Sequence, residues 1–304
     1  MTSTLQILID TLSVGSLYAL AALGVGLVFG VLRLVNFAYG DFITVGSYAL
    51  IVPSASITAI VFIGDWPWPL LVIASAIIVM IVALICDLLV FRPLRRAGPA
   101  VLMIASFGLS YIIQNAIILI YTARPKAVGI WPGLAEAISI GNLRVPGLQI
   151  VTIIAALGLL AALVLFLKKS PFGVQMRAAA EDFQMARMLG IRANTVIGTA
   201  FVISALLAAI VSLLLLCQVG VVSFHMGTQL MLIAFIATVI GGMGSLIGAV
   251  VGGYAIGIVG TLLQVLLPEN LRTFRDAFVF AAVIVVLLVR PQGLVAPRAA
   301  RERV

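Results

Sequence analysis

The segment ANTVIGTAFVISALLAAIVSLLLLCQVGVVSFHMGTQLMLIAFIATVIGGMGSLIGAVVGGYAIGIVGTLLQVLLP, from Ala193 to Pro268, runs for 76 residues without a charge between Arg192 and Glu269. A membrane helix takes about 20 apolar residues to cross about 30 Å of hydrocarbon. The run is too long for two crossings and fits three with short turns. Its polar interruptions fall near Gln218 to Thr228 and at Gly241 to Ser245. A continuous helix from Thr228 to Leu267 would be about 60 Å long, twice the hydrocarbon thickness. It must break, and Gly241-Gly242 or Gly244-Ser245 is the cheapest place.

The same pattern extends outward. Uncharged gaps of 22, 23, 21, 27 and 23 residues separate Asp10 from Arg33, Asp41 from Asp65, Asp65 from Asp87, Arg96 from Arg124 and Arg144 from Lys168. Each fits one crossing, because a charge near the bilayer centre costs about 2.5–3.5 kcal/mol. After Asp276 only 13 apolar residues precede Arg290, so a last crossing begins near Thr273. The expectation is an all-α polytopic membrane protein, one domain over residues 1–304, with about nine transmembrane or re-entrant helices. Composition agrees: 63% of the 304 residues are hydrophobic and 9% charged, against about 25% charged in soluble domains.

Of the 18 Lys and Arg residues, 13 fall on one side if the amino terminus is outside and the carboxyl terminus cytoplasmic, and 5 on the other. That bias favours this orientation and accounts for the net charge of +8. No basic stripe with interleaved aromatics points to nucleic acid. The first ten residues lack the Lys or Arg of a signal peptide, so the first helix is expected to remain. Cys86 and Cys217 lie in apolar runs, without metal-like spacing, and read as packing residues.

No phosphate-binding GxxxxGK[ST] loop and no HExxH motif is present, and the single histidine, His225, falls in a short outer loop. The sequence therefore points to no catalytic residue, metal site or cofactor, and any ATP chemistry must come from a partner. Charges mapped to loops and helix ends disfavour a carrier driven by an ion gradient. A pore lined by small and polar residues remains open as a passive channel.

Three constellations carry information. GVLRLVNFAYGDF, Gly30 to Phe42, places Arg33, Asn36, Tyr39 and Asp41 in a cytoplasmic-side connection. It is either an ordinary polar turn, with Arg33 paired to Asp41, or a gate at a re-entrant segment. The second is the longest cytoplasmic segment, Lys168 to Asn194, with good helix formers from Gly173 to Leu189. Ala179, Phe183, Ala186 and Leu189 share a face, Arg177, Glu181 and Arg187 take others, and Gly190 suits the carboxyl-terminal cap. This helix suits a groove on a soluble partner or the membrane surface.

The third is the series Gly244, Gly248 and Gly252, beside Gly253 and Gly257. Glycines four apart permit close helix packing; at a break they also expose carbonyls to a pathway. Ser106, Ser110 and Asn115 are polar residues on an otherwise apolar helix, and either line a pathway or bond their own backbone. A short echo, VGSYA at Val45 to Ala49 and VGGYA at Val251 to Ala255, hints that the two halves contribute corresponding helices to one interface.

Four motifs in order carry a resemblance: Ser16 to Phe42 (SLYALAALGVGLVFGVLRLVNFAYGDF), Arg177 to Ile191 (RAAAEDFQMARMLGI), Ile240 to Gly252 (IGGMGSLIGAVVG) and Arg290 to Leu294 (RPQGL). Together they resemble the branched-chain amino acid permeases of bacterial ABC importers, closest to the LivH-type member of the usual pair. The resemblance implies a bacterial inner-membrane subunit, not itself an enzyme, that works with a homologous second permease, two cytoplasmic ATP-binding subunits and a periplasmic substrate-binding protein. Relatives carrying urea or short amides look alike at this level. By position, Arg177, Ala179, Glu181, Asp182, Arg187 and Gly190 would belong to the helix that couples to an ATPase. The loop from Thr122 to Gly147, with Trp131 and Glu136, would be the largest outer candidate for docking the binding protein.

Overall fold

The computed structural model describes residues 2–32, 35–54, 56, 58–59, 61, 67–95, 97–135, 137–140, 143–181 and 183–295. Arg33, Glu136 and Asp182 lie outside these, as do Arg96, Arg298, Arg301 and Arg303.

Helix α1 (Thr2–Leu32) leads into a short helix, α2 (Tyr39–Tyr48). Helix α3 (Trp68–Cys86) continues through a π turn (Asp87–Phe91) into α4 (Arg92–Leu94), followed by α5 (Pro99–Tyr121) and a four-residue turn, α6 (Pro132–Ala135). Then come α7 (Gly147–Lys169), α8 (Pro171–Glu181), α9 (Phe183–Met188), α10 (Ala193–Val219), α11 (Met226–Gly241), α12 (Leu246–Leu266) and, after a 3-10 turn, α13 (Arg275–Val289). Two small antiparallel ribbons lie between helices: β1 (Lys126–Ala127) with β4 (Val221–Val222), and β2 (Ala137–Ile140) with β3 (Leu143–Pro146).

Six of the helices among the described residues are long and apolar enough to cross a membrane: Leu5–Val31, Pro69–Leu94, Pro99–Tyr121, Gly147–Lys169, Asn194–Val219 and Leu246–Leu266. The chain is a multi-pass, helical membrane protein. Three segments expected to cross are shorter. Of the 23-residue gap after Asp41, only seven residues, 42–48, are helical as the end of α2, and the described residues beyond them include Pro53 and an isolated bridge between Ile51 and Val61. Helices α11 and α13 have 16 and 15 residues.

Helix α1 is the central post. The share of its apolar stretch buried inside the bundle is 78%, against 22% for α5. Lipid supplies no hydrophobic drive for one helix to leave it for another, so close approach must come from small residues and interhelical hydrogen bonds. Gly253 and Gly257 of α12 face Ala19 and Gly15 of α1 in antiparallel register, so tightly that a Cβ added to either glycine would stand 2.5 Å from a Cα of α1. Two small-xxx-small faces, Gly15/Ala19 and Gly253/Gly257, thus mate. Beside them Ser16 and Tyr254 share a hydrogen bond of 2.9 Å. Further hydroxyl links are Ser204 Oγ to the Gly24 carbonyl at 3.0 Å and Ser47 with Ser212 at 2.8 Å.

The long apolar run breaks at Gly241–Ser245, one of its expected points. Gly242 and Gly244 have φ of +104° and +91°, and Ser245 caps α12 by accepting from the Gly248 amide at 3.0 Å. Gly248 and Gly252 pack on Gly241 and Ala237 of α11. Gly244 does not share their helix face: it belongs to the turn, where its left-handed backbone reverses the chain. The RPQGL motif closes the same corner. Leu294 and Val295 amides donate to the Ile240 and Gly241 carbonyls at 2.7 and 3.1 Å, satisfying acceptors that α11 leaves unpaired at its end. The VGSYA and VGGYA echoes do not meet in one interface, because Gly46 ends up against Ser212 of α10 and Gly253 against α1.

Candidate functional site

The site is built where α2 begins. Tyr39 packs over Gly24, where an added Cβ would collide with the Tyr39 hydroxyl and ring. Gly24 lies eight residues before the end of α1, so the Tyr39 side chain reaches back along α1 from the start of α2. Helix α2 is therefore a short helix whose amino-terminal end is inside the bundle, and nearly all of its residues are buried. Its start meets the start of α11: the Gly40 and Gly227 backbones touch, with a Cβ at Gly40 only 2.8 Å from the Gly227 carbonyl oxygen. The Gly227 amide donates to Thr44 Oγ1 at 3.2 Å. Two helix amino termini, each with a positive dipole end, thus converge in apolar surroundings.

Asp41 sits in the first turn of α2 with 0% exposure. Gln114 Nε2 donates to its Oδ1 at 3.0 Å and lies 3.1 Å from Ser110 Oγ and 3.2 Å from Thr228 Oγ1. Ser110 is the central residue of α5, so the cluster lies at mid-height of that crossing. This corrects the expectation that Asp41 lies in a connection at a span end, and with it weakens the argument from charges confined to loops. Asp87, also buried, ends α3 and pairs with Arg95 at 2.6 Å.

The preceding segment is equally well held. Asn36 Oδ1 accepts from the Ala38 amide at 3.1 Å, and Ser106 Oγ accepts from the Phe37 amide at 3.2 Å while donating to the Met103 carbonyl at 2.7 Å. The Phe37 ring stacks on Phe107 with centroids 3.8 Å apart. Yet Asn36 Nδ2, Tyr39 Oη and Asp41 Oδ2 are buried with no hydrogen-bond partner among the described residues. Buried polar groups are ordinarily paired, so three orphans within six residues mark a segment whose polar atoms are only half satisfied in this arrangement.

Of the residues singled out in the sequence, Asn36, Tyr39, Asp41, Ser106 and Ser110 thus come together. Asn115 does not: it is exposed on the other side of α5 and donates to its own helix at the Tyr111 carbonyl, 2.8 Å away. Gln114, Thr44 and Thr228 were missed. A signal for Gln114 was present, since Ser106, Ser110 and Gln114 are spaced four apart and form one polar stripe, from which Asn115 is rotated by about 100°.

The segment from Lys168 to Asn194 forms α8 and α9. It starts two residues before the expected Gly173, at Pro171, with Ser170 Oγ accepting from the Gly173 amide at 2.9 Å. Gly190, at φ +84°, ends it: its amide donates to the Arg187 carbonyl and that of Ile191 to the Ala186 carbonyl, a Schellman cap. Gly173, Met176, Ala179 and Ala186 are buried. Ala179, at 4% exposure, therefore belongs to the face packed on the bundle and is not presented outward. Leu189, expected to share a face with Ala179, is instead 81% exposed beside Met188, just before the cap at Gly190. Arg177, Glu181 and Arg187 are exposed.

Residues 7–288 match the family described as branched-chain amino acid transport system, permease component. The chain is 33% identical over 298 residues to the high-affinity branched-chain amino acid transport system permease protein BraD of Pseudomonas aeruginosa, covering 95% of both chains. It is 35% identical over 302 residues to the permease protein LivH of the corresponding system of Salmonella typhimurium, and 34% over 302 residues to that of Escherichia coli K12, in each case over 95% of this chain and 94% of the relative. No solved structure matches the fold. A helical chain with six helices long and apolar enough to cross a membrane among its described residues, carrying these motifs along nearly its whole length, belongs to the branched-chain amino acid transport permease family.

Proposed function

We propose that the chain is the LivH-type permease subunit of an ATP-driven importer in the bacterial inner membrane, moving branched-chain amino acids inward by alternating access. The amino terminus is outside and the carboxyl terminus cytoplasmic, as the 13-to-5 distribution of Lys and Arg favours. The chain supplies the membrane path and no catalysis. Two cytoplasmic ATP-binding subunits hydrolyse ATP, a homologous second permease completes the channel, and a periplasmic binding protein delivers substrate.

The observation that carries this reading is the start of α2. Asn36, Tyr39 and Asp41 leave three polar atoms orphaned in a segment bridging α1, α5 and α11. A segment half satisfied in one arrangement is suited to a second, in which other partners complete it. It is the gate, and Ser106, Ser110 and Gln114 are the strip of α5 along which it seats. The exposed face of α8 and α9, with Arg177, Glu181, Arg187, Met188 and Leu189, is the surface that receives ATPase motion, because charges rimming exposed apolar side chains suit a protein groove.

Reconstitution in liposomes tests the assignment. With all partners and ATP, leucine uptake is expected; uptake by this chain alone, without ATP, would instead establish a passive channel. Uptake of urea or a short amide in preference to leucine by the complete system would overturn the substrate.

A further inference from the structure

The ion pair at the carboxyl-terminal end of α3 has no part in the gate, yet it is the better shielded of the two among the described residues. The Asp87 and Arg95 side chains are 6% and 14% exposed, against 65% and 35% for Asp276 and Arg275. Asp87 opens the π turn and Arg95 follows α4. Two arms of the Arg95 guanidinium are in use. Nη2 donates to Asp87 Oδ1 at 2.6 Å, Nη1 donates to Asn194 Oδ1, and Nε is buried with no partner among the described residues. One planar group thus joins the end of α3 to the first turn of α10.

Both of these helices lead elsewhere. Only Ile191 and Arg192 separate the Gly190 cap of α9 from α10, so a displacement of α9 arrives at Asn194. Further along, α3 and α10 both hold α2. Ser75 Oγ of α3 donates to the Gly46 carbonyl at 3.1 Å, and Ser212 of α10 shares a hydrogen bond of 2.8 Å with Ser47. Phe91 of the π turn also packs on Phe201, with ring centroids 5.0 Å apart, seven residues along α10 from Asn194. An apolar ring contact can slide, whereas two hydrogen bonds from one guanidinium plane fix both distance and angle. We propose that Arg95 is a positioning residue of transport: it locks α3 to the start of α10, so that the two helices act on α2 together when α9 moves. This role rests on the reading of α8 and α9 as the surface that receives ATPase motion.

The assembled transporter in proteoliposomes is assayed for leucine taken up per ATP hydrolysed. Arg95→Lys keeps a cation opposite Asp87 but cannot hold two acceptors in one plane; Asn194→Ala removes one acceptor at an exposed position. Each is expected to lower the ratio at least about threefold, with copurification of the ATP-binding subunits unchanged. Asn194→Ala should also leave the melting temperature unchanged, and it decides the matter even where Arg95→Lys lowers that temperature. Asn194→Asp, which still accepts from Arg95, should keep the ratio. The double variant should fall no further than either single one, because both remove the same bond. An unchanged ratio in Asn194→Ala, an equal loss in Asn194→Asp, or additive losses in the double variant would each overturn the role of Arg95 and leave the transport function standing. ATP-independent uptake by the unmodified complex would refute that function, and this role with it.

Discussion

Gln114 of α5 donates to the Asp41 carboxylate at 3.0 Å, and that bond ties a peripheral helix to a charge buried where α2 and α11 begin. Asp41 gains further from the positive dipole end of α2. Gln114→Leu removes its side-chain donor and leaves the carboxylate oxygen exposed to apolar neighbours. The expected cost is about 1–3 kcal/mol of stability, together with loss of leucine uptake. Asp41→Asn, which keeps the shape and an acceptor oxygen, should be milder in thermal unfolding but equally inactive in uptake.

The α1–α12 contact sets a second expectation. Gly253→Ala places a Cβ 2.5 Å from the backbone of Ala19, so the helices must part. About 1–3 kcal/mol of destabilisation is expected from such overpacking. Gly260, on the same helix, has open space at its Cβ position. Gly260→Ala should be neutral or stabilising by about 0.5–1 kcal/mol, since alanine is the better helix former. Melting temperatures of the two variants in one detergent decide the matter; equal values would refute the close approach.

On α8 and α9, Arg177→Glu with Arg187→Glu should abolish copurification of the ATP-binding subunits expected under the proposed function and leave the melting temperature unchanged, because both side chains are exposed. Ala179→Leu should do the reverse, lowering the melting temperature through its buried position. Retained copurification in the double variant would remove this surface from the coupling path.

How much of this was legible depended on what charges can report. Charges bound the long crossings, so α1, α3, α5 and α7 were readable from the gaps between them. The start of α2 at Tyr39 lies between Arg33 and Asp41, so charge spacing marked it as a connection or a re-entrant segment without separating the two, and gave no sign that it reaches the middle of the bundle. Glycines revealed breaks but not partners: Gly244 and Gly248 look alike in sequence, and only the fold sends one to a turn and the other to a helix contact. Ser106 and Ser110 were readable as an i,i+4 pair, while Gln114 was obscured by Asn115 next to it. The pairing of Gln114 with Asp41 spans 73 residues, and no local pattern carries a contact at that separation.

The central claim is that the segment from Asn36 to Asp41 moves against α5 during transport. Phe37 and Phe107 stack at 3.8 Å in this arrangement. Cysteines at these two positions, in a background with Cys86 and Cys217 replaced by serine, can be joined by a short thiol-specific cross-linker in the assembled transporter. ATP-driven leucine uptake measured before joining, after joining and after reductive release is the most direct test. The account predicts that joining abolishes uptake and that release restores it; uptake at the unjoined rate with the link intact would contradict it.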